Sequence, residues 1–570
     1  MLQSNCRRRL PPVFRAFALL LACVVPTLAY AGGPANDNWS ARQVIATLPA
    51  TDIEGAIGGA TLEPADPVFA CRRTAATTGA RSIWYSYSTG SDVEYLNVST
   101  ANFDALLAVY SGDQADGFEL VTGACSDDGG GASGSASLVG VRLEANTEYS
   151  IEVATWDASV PATVIQVTFD RARTYAVTKT ADTSDLVCDG DCSLREAVRA
   201  ANQVEGVVLL PAGTYVLTLP GAADDVNLSG DLDLLGATSI YGAGTATTII
   251  DGNAADRVLH LDPAGSGSRS FAITDLTLRN GSAANGGAIA NVGNSNPDFV
   301  GLSHVRITNS IASGSGGGAR LDGFSRIEDS AITGNRASND GGGVAVDGTV
   351  PPRLRIARST LSGNSSLRVP TGGGGGVYLL GGTHEIDTST LSGNSARAGG
   401  GGVAVIATAS LAVRDTTIVD NRSDATDASG LAGGGLYQDS SGAVALANSI
   451  VAGNRRGSGS TASDCGRTPA GTLQGQDNFV QVPGACSFTG NNNITGVAAA
   501  LGPLAANGGP TDTHAPLAGS PVIDTGAASC GRADQRGTKR PTDGDGDTLS
   551  ECDRGAVEAP DLVLFRDGFE

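Results

Sequence analysis

Lysine is nearly missing: in 570 residues it stands only at Lys179 and Lys539. Methionine occurs once, histidine four times, and aromatic residues make up 5%. Charged residues are also sparse, at 17%, and acids outnumber bases to a formal net charge of −22. These shortages exclude several function classes. A strongly acidic chain is a poor partner for nucleic acid or an anionic membrane, both of which select clustered Lys and Arg. The histidines, His260, His304, His384 and His514, are far apart and show no metal-ligand spacing. No nucleophile motif of the G-x-S-x-G kind appears in a convincing context. Beyond residue 31 no segment approaches the roughly 20 apolar residues of a membrane helix. An apolar fraction of 41% argues against disorder.

What the chain has in quantity is glycine, 79 residues. Between Asn280 and Asn454 glycine clusters followed by short apolar runs end their glycines at Gly287, Gly318, Gly343, Gly376, Gly402 and Gly435, in steps of 31, 25, 33, 26 and 33 residues. Asparagine turns alternate with them at Asn280, Asn309, Asn335, Asn364, Asn394, Asn421 and Asn454. A fixed period in this range marks a repeat architecture. Within each period, runs such as LRIARSTLSGN at 354 to 364 place an apolar or small residue at every second position, which is strand and not helix periodicity. Without helices, ankyrin and tetratricopeptide arrays are excluded. The remaining economical solution is a parallel β-helix, one coil per period, apolar side chains stacked inside. The asparagines then read as turn residues in a ladder of stacked equivalents.

The start of the chain supplies an address. Arg7-Arg8-Arg9, an apolar run from Ala16 to Val25 and Ala29-Tyr30-Ala31 form a secretory leader over 1–31, cleaved near Ala31. A lipoprotein cleavage pattern at Leu20-Leu21-Ala22-Cys23 is the rival, which Leu21 and the continuing apolar run fit poorly. Cleavage near Ala31 removes four arginines and no acid, so the exported chain is more acidic still. It also leaves eight cysteines, an even number suited to an oxidising compartment. Sequence alone does not settle their connectivity. Pairing neighbours predicts Cys71 with Cys125, Cys188 with Cys192, Cys465 with Cys486 and Cys530 with Cys552. A zinc site in CDGDC is the alternative for the second pair, but no histidine lies near it.

Residues 32–170 carry alternating strands separated by turns, as in a jelly-roll-like β-sandwich. NDNW at 36 to 39, SIWYSYS at 82 to 88, FDALLAVYSG at 103 to 112 and CSDDGG at 125 to 130 resemble bacterial pre-peptidase C-terminal domains. That resemblance implies an accessory module, some members of which bind calcium; Asp104, Asp127 and Asp128 offer oxygen ligands. Residues 171–204 read as a linker and a short helix that covers the open end of the first coil, with Ser193 and Glu196 at capping-box spacing and Leu194, Ala197, Val198 and Ala201 on one face. DGDCSLREAVRAAN resembles CSLREA-type bacterial surface proteins. In that family the motif precedes a right-handed β-helix of the pectin-lyase superfamily, which implies a solenoid from about 205 to 500. The region 501–560, with LGPLAANGGPTDTHAPLAGSPVIDTG, DQRGTKRP and CDRGAVE in order, resembles the choice-of-anchor Q C-terminal region. The tail 561–570 resembles short DGFE-type ends of some gammaproteobacterial exported proteins. The fold class expected is therefore all-β, a sandwich followed by a parallel β-helix with one capping helix.

Catalysis on such a scaffold has to be argued from side chains. A hydrolase needs two carboxylates on neighbouring coils, and a lyase needs a base with a charge neutraliser. Asp322, Asp329, Asp347, Asp387 and Asp415 are scattered singly, and arginine is the only frequent base. Arg320, Arg353, Arg355, Asp322 and Asp347 are the catalytic candidates, with Arg326 and Arg358 beside them. DGDGD places Asp543, Asp545 and Asp547 in alternation and points to calcium, although Thr548 and Arg554 depart from an EF-hand. Two functions follow. One is a monomeric, non-catalytic surface or adhesion scaffold whose repeated face binds glycans by avidity. The other is a polysaccharide lyase or glycoside hydrolase acting on an extracellular polysaccharide. Acids and arginines converging in one groove favour the second; a smooth face of Ser, Thr and Gly favours the first. The longer insertions 291–301, 365–371 and 423–431 are the places where a site is expected.

Overall fold

The computed structural model describes residues 33 to 561, apart from 55–56, 72–79, 116, 128–134, 157–163, 222–223, 266, 268, 292–297, 349–350, 468–471, 485 and 487. The expected leader, Asp128 and the tail beyond 561 lie outside the described residues. The chain is all-β with one α-helix among the described residues.

Two sheets form the N-terminal unit. One orders Gln43–Val44, Ser82–Ser88, Glu148–Thr155, Ala105–Asp113 and Gly117–Asp127; the other orders Ala50–Glu54, Ile165–Arg171, Glu94–Ala101 and Ser137–Leu143. Alternate residues of each sheet turn inward, so Ile83, Tyr85, Leu107 and Val109 meet Leu96, Val98, Leu138 and Phe169 in a shared core. The other side of the first sheet is mostly apolar as well, with the buried Glu152 beside Trp84. There Trp84, Leu106, Ala108 and Tyr110 pack against Phe299 and Phe324 of the repeat, so the sandwich is seated on the coils.

The repeat winds into parallel coils. Most coils give two strands to a broad sheet, for example Arg353–Ala357 and Thr360–Ser362, or one long strand such as Ser270–Arg279, then a two-residue strand such as Ser365–Ser366, then a strand in a third sheet such as Val377–Leu380. Equivalent residues stack in register: Leu302, Ile327, Ile356, Ile386, Val413 and Leu446 form one buried inward column. Val344, Val377, Val403 and Leu436 form another on the third sheet. This column explains the glycine clusters. A Cβ on Gly343 would lie 2.6 Å from the carbonyl oxygen of Gly376 one coil on, closer than any side chain tolerates.

Asn335, Asn364, Asn394 and Asn421 form the expected ladder, each backbone amide donating to the next coil's asparagine Oδ1 at 2.9 to 3.0 Å. Asn280 and Asn309 differ. They occupy the left-handed turn one position earlier, where later coils have Gly334, Gly363 and Gly393, and the ladder rung falls to Gly281 and Ser310.

The helix α1, Leu194–Val204, carries the expected capping box: Ser193 Oγ accepts from the Glu196 amide at 3.2 Å and Glu196 Oε2 accepts from the Ser193 amide at 2.6 Å. Leu194, Ala197, Val198 and Ala201 enter the coil core. The solenoid does not begin after this helix, however. Thr174–Ala176, inside the stretch expected to be linker, pairs in parallel with Val207–Leu209, so α1 is an insertion in the first coil.

Residues 501 to 559 contain no extended strand among the described residues and lie along the second strip of the broad sheet. Gln535 bonds Thr360 and Thr390 at 2.8 and 2.6 Å, and His514 Nε2 meets Ser392 Oγ at 2.9 Å. Under this block the outward positions Val419, Ile450 and Phe479 are apolar and pack with Ala499 and Val522. Four disulfides form, Cys71–Cys125, Cys188–Cys192, Cys465–Cys486 and Cys530–Cys552, which are the neighbouring pairs.

Candidate functional site

The sequence candidates fall on different faces. Arg320 joins Asp322 at 2.9 Å and Asp347 at 2.7 Å on the third sheet. Burial pushes the Asp322 carboxyl up to about 7, against the pull of Arg320 and with the push of Asp347. Arg353 and Arg355 lie on the broad sheet instead, where Arg355 reaches Asp387 at 3.1 Å and Glu385 at 3.7 Å. Arg326 pairs with Glu328 at 2.6 Å on the same face. Arg320 and Arg355 thus tie one coil to the next, whereas Arg326 pairs within its own strand.

In the DGDGD loop the carboxylate of Asp543 accepts from the Gly546 and Thr548 amides at 2.6 and 2.8 Å. Ligating atoms of Asp543 and Asp545 gather with one from Asp524, which the sequence did not single out, and Asp547 is not in that group. Asp104 and Asp127 join no three-ligand cluster among the described residues. His384 is a core residue: burial pushes its imidazole down to about 4, and its ring nitrogens meet Gly381 O at 2.6 Å and the Leu354 amide at 3.2 Å.

Between the sandwich and the coils the surface is concave. A cleft of about 470 Å³ is lined on one side by Glu119, Arg142, Glu144 and Tyr149, and on the other by Tyr241, Asp275, His304, Glu328, Asp329 and Arg358. The coil wall has a simple origin. Asp275 and His304 stand midway along the strands Ser270–Arg279 and Phe299–Thr308, and Asp329 and Arg358 at the equivalent corner between two strands in the next coils, all left-handed with φ of 58, 50, 48 and 48°, one per coil. At the ~4.8 Å spacing of paired strands the four span about 14 Å.

Two arginines bridge the walls. Arg142 of the sandwich reaches Asp275 at 2.8 Å and Glu144 at 3.0 Å. Arg358 of the coils reaches Asp329 at 2.8 Å and Glu119 at 3.3 Å. The acids around Arg358 hold its guanidinium well above the ordinary arginine range, despite burial. His304 is exposed between the two bridges, its Nδ1 3.1 Å from Ser303 Oγ. At the rim the Arg142 amide donates to the Tyr241 hydroxyl at 3.2 Å, which in turn donates to Gly140 O at 2.8 Å. The arrangement offers carboxylates, guanidiniums and an imidazole within one groove, the components of polar recognition and acid–base chemistry.

No family model and no curated protein matches the chain. Among solved structures it is similar to the pectate lyase Pel9A, at 14% identity and a TM-score of 0.37, over 68% of this chain and 98% of that one. It is also similar to the Agl-KA catalytic domain, at 12% identity and a TM-score of 0.25, over 78% and 81%. A third is the catalytic domain of a GH87 α-1,3-glucanase in complex with nigerose, at 14% and 0.21, over 73% and 91%. At such scores the fold rests on this chain's own strand ladder.

Sequence reading missed this cleft because it followed the coils alone. Glu119, Arg142, Glu144 and Tyr149 come from the sandwich, and none of the described residues of the insertions 291–301, 365–371 and 423–431 lines it. One signal was available. Gly123 and Gly140 stand in the interior of strands, where glycine marks close approach by another backbone. A Cβ on Gly140 would lie 2.2 Å from Val207 of the coils.

Proposed function

We propose that the chain is an exported polysaccharide-cleaving β-helix whose substrate lies in the junction cleft, and that it acts as a glycoside hydrolase on a neutral glycan. The carrying observation is the convergence of Glu119, Asp329, Arg358 and His304 in one groove, the arrangement that favours an enzyme over a smooth binding face. Five lining carboxylates, Glu119, Glu144, Asp275, Glu328 and Asp329, outnumber the two guanidiniums of Arg142 and Arg358. That excess repels a polyuronate and so disfavours elimination, while acid–base hydrolysis needs carboxylates. In this reading Glu119 and Asp329 exchange the protons, and Arg358, in contact with both, holds the two carboxylates across the groove. A calcium ion at Asp524, Asp543 and Asp545 belongs to the same reading as a structural element of the C-terminal block.

The test is incubation of the purified chain with neutral and uronic polysaccharides, scoring reducing ends and unsaturated products. New reducing ends from a neutral polymer, abolished in Glu119→Gln and Asp329→Asn, are expected. Unsaturated products would replace the hydrolase by a lyase. Binding without any cleavage would return the chain to a glycan-binding scaffold.

A further inference from the structure

Coil geometry gathers ligands that are far apart in sequence. His260, in the strand Leu259–Leu261, stacks directly on Asp233 of Leu232–Leu234, one coil before it. Its Nδ1 is 3.6 Å from Asp233 Oδ1 and 3.5 Å from Asp225 Oδ1, the latter on the loop that precedes that strand. One ligating atom from each of the three lies within 4.8 Å of the others.

Those nitrogen-to-oxygen separations are too long for hydrogen bonds. They are close to the edge, about 3.3–3.4 Å, of a tetrahedron drawn with metal–ligand bonds of about 2.0–2.1 Å. A second observation concerns Asp233 alone. Its side chain is fully buried and its Oδ2 accepts from the Asn227 amide at 2.9 Å, yet Oδ1, the oxygen aimed at His260, has no hydrogen-bond donor. Leaving a buried carboxylate oxygen unmet is costly, and a cation removes that cost. Asp225 is 67% exposed and opens the cluster to solvent, which supplies an entry path and room for a further ligand.

We propose that Asp225, Asp233 and His260 bind a divalent transition cation of the zinc class. Two carboxylates and one imidazole suit zinc and its neighbours, whereas calcium and magnesium prefer oxygen ligands throughout. Asp224 and Asp256, close in the chain, add negative potential, while Asp231 is paired with Arg257 at 2.8 Å. The site also has a mechanical meaning. The Asn227 side chain donates to Arg195 O of α1 at 2.8 Å, so a metal held by Asp225 and Asp233 fastens this loop, the helix and the first coils together.

The experiment uses the full chain carrying Asp545→Asn, which disables the separate acid cluster of Asp524, Asp543 and Asp545. After chelator treatment it is titrated with zinc by calorimetry and followed by thermal melting. One zinc per chain, a higher melting temperature, and at least about a tenfold loss of affinity in both Asp225→Ala and His260→Ala are expected. Asp225 is exposed, so its variant retains the metal-free melting temperature and separates ligand loss from misfolding. X-ray absorption at the zinc edge should show one imidazole nitrogen among oxygen ligands. Three results would overturn the proposal: no zinc binding, zinc binding indifferent to both substitutions, or calcium bound in preference to zinc.

Discussion

The side-chain amide of Asn364 and its backbone amide both donate to one atom, Oδ1 of Asn394, at 2.9 and 3.0 Å. Both residues are fully buried, and the Asn394 side chain in turn donates to Leu361 O at 2.9 Å. Asn394→Ala therefore leaves the buried Asn364 backbone amide without its acceptor and takes one bond each from Leu361 O and from the Asn364 side-chain amide, which keeps Ile332 O at 2.8 Å. At about 1–3 kcal/mol for each buried group left unpaired, a loss of at least about 2 kcal/mol is expected. Asn309→Ala, at an exposed left-handed turn, should cost about 1 kcal/mol or less. Chemical denaturation of the two variants checks the contrast, and equal losses would refute the ladder as a source of stability.

The seat of the sandwich on the coils can be tested at Gly301. A Cβ there would lie 2.5 Å from the Gly123 amide nitrogen, and one on Gly123 would lie 2.7 Å from the Ala272 Cβ. Gly301→Val forces the two walls of the cleft apart while leaving each wall intact. If the cleft is the active groove, glycan cleavage falls about a hundredfold, the scale of an ångström's misplacement of reacting groups. Full activity in this variant would place the chemistry elsewhere.

Stability should decline as the solution is made less acid. Burial pushes Asp322, Asp298 and Asp553 each up to about 7, whereas an unfolded aspartate titrates near 3.9. Between about pH 4 and pH 7 the folded chain thus holds protons that the unfolded chain has released. Unfolding free energy falls with pH wherever the native state binds more protons, so the melting temperature should drop across this window. Thermal melts from about pH 4 to pH 8 measure the slope, and Asp298→Asn should flatten it. A melting temperature that rises with pH would contradict the assignment.

Removing disulfides should have unequal effects. Cys71–Cys125 closes a loop of 54 residues and Cys188–Cys192 one of 4. Chain-entropy reasoning assigns about 4 kcal/mol to the first and about 2 kcal/mol to the second. Paired Cys→Ala variants compared by denaturant unfolding give the ratio. Cys71–Cys125 also borders the junction, where Ser270 Oγ donates to Cys125 O at 2.7 Å, so its loss should loosen the cleft as well.

The repeat was legible because each coil repeats the same local demand. A glycine must stand where backbone passes backbone, as at Gly343 and Gly376, and an asparagine must stand where one oxygen serves two amides, as at Asn394. The helix cap at Ser193 and Glu196 was legible for the same local reason. The shift of Asn280 and Asn309 by one position was not, because Asn and Gly exchange freely in a left-handed turn. The cleft was illegible in a deeper sense. Glu119 and Arg358 are separated by 239 residues and meet only because a flat apolar side of the sandwich lands on Phe299 and Phe324. His260 and Asp233 were within reach, since their separation is one coil, but a ligand rule built on helix and loop spacings passes over a solenoid step.

The helix α1 has one consequence for the chain in a crowded solution. A parallel coil offers the same unpaired backbone on its last rung as on every rung before it, so a bare end is a template for another molecule of the same kind. By seating Leu194, Ala197, Val198 and Ala201 over the first coils, α1 makes the solenoid finite at that end. Stripped of that cover, the end of the coil core would face water.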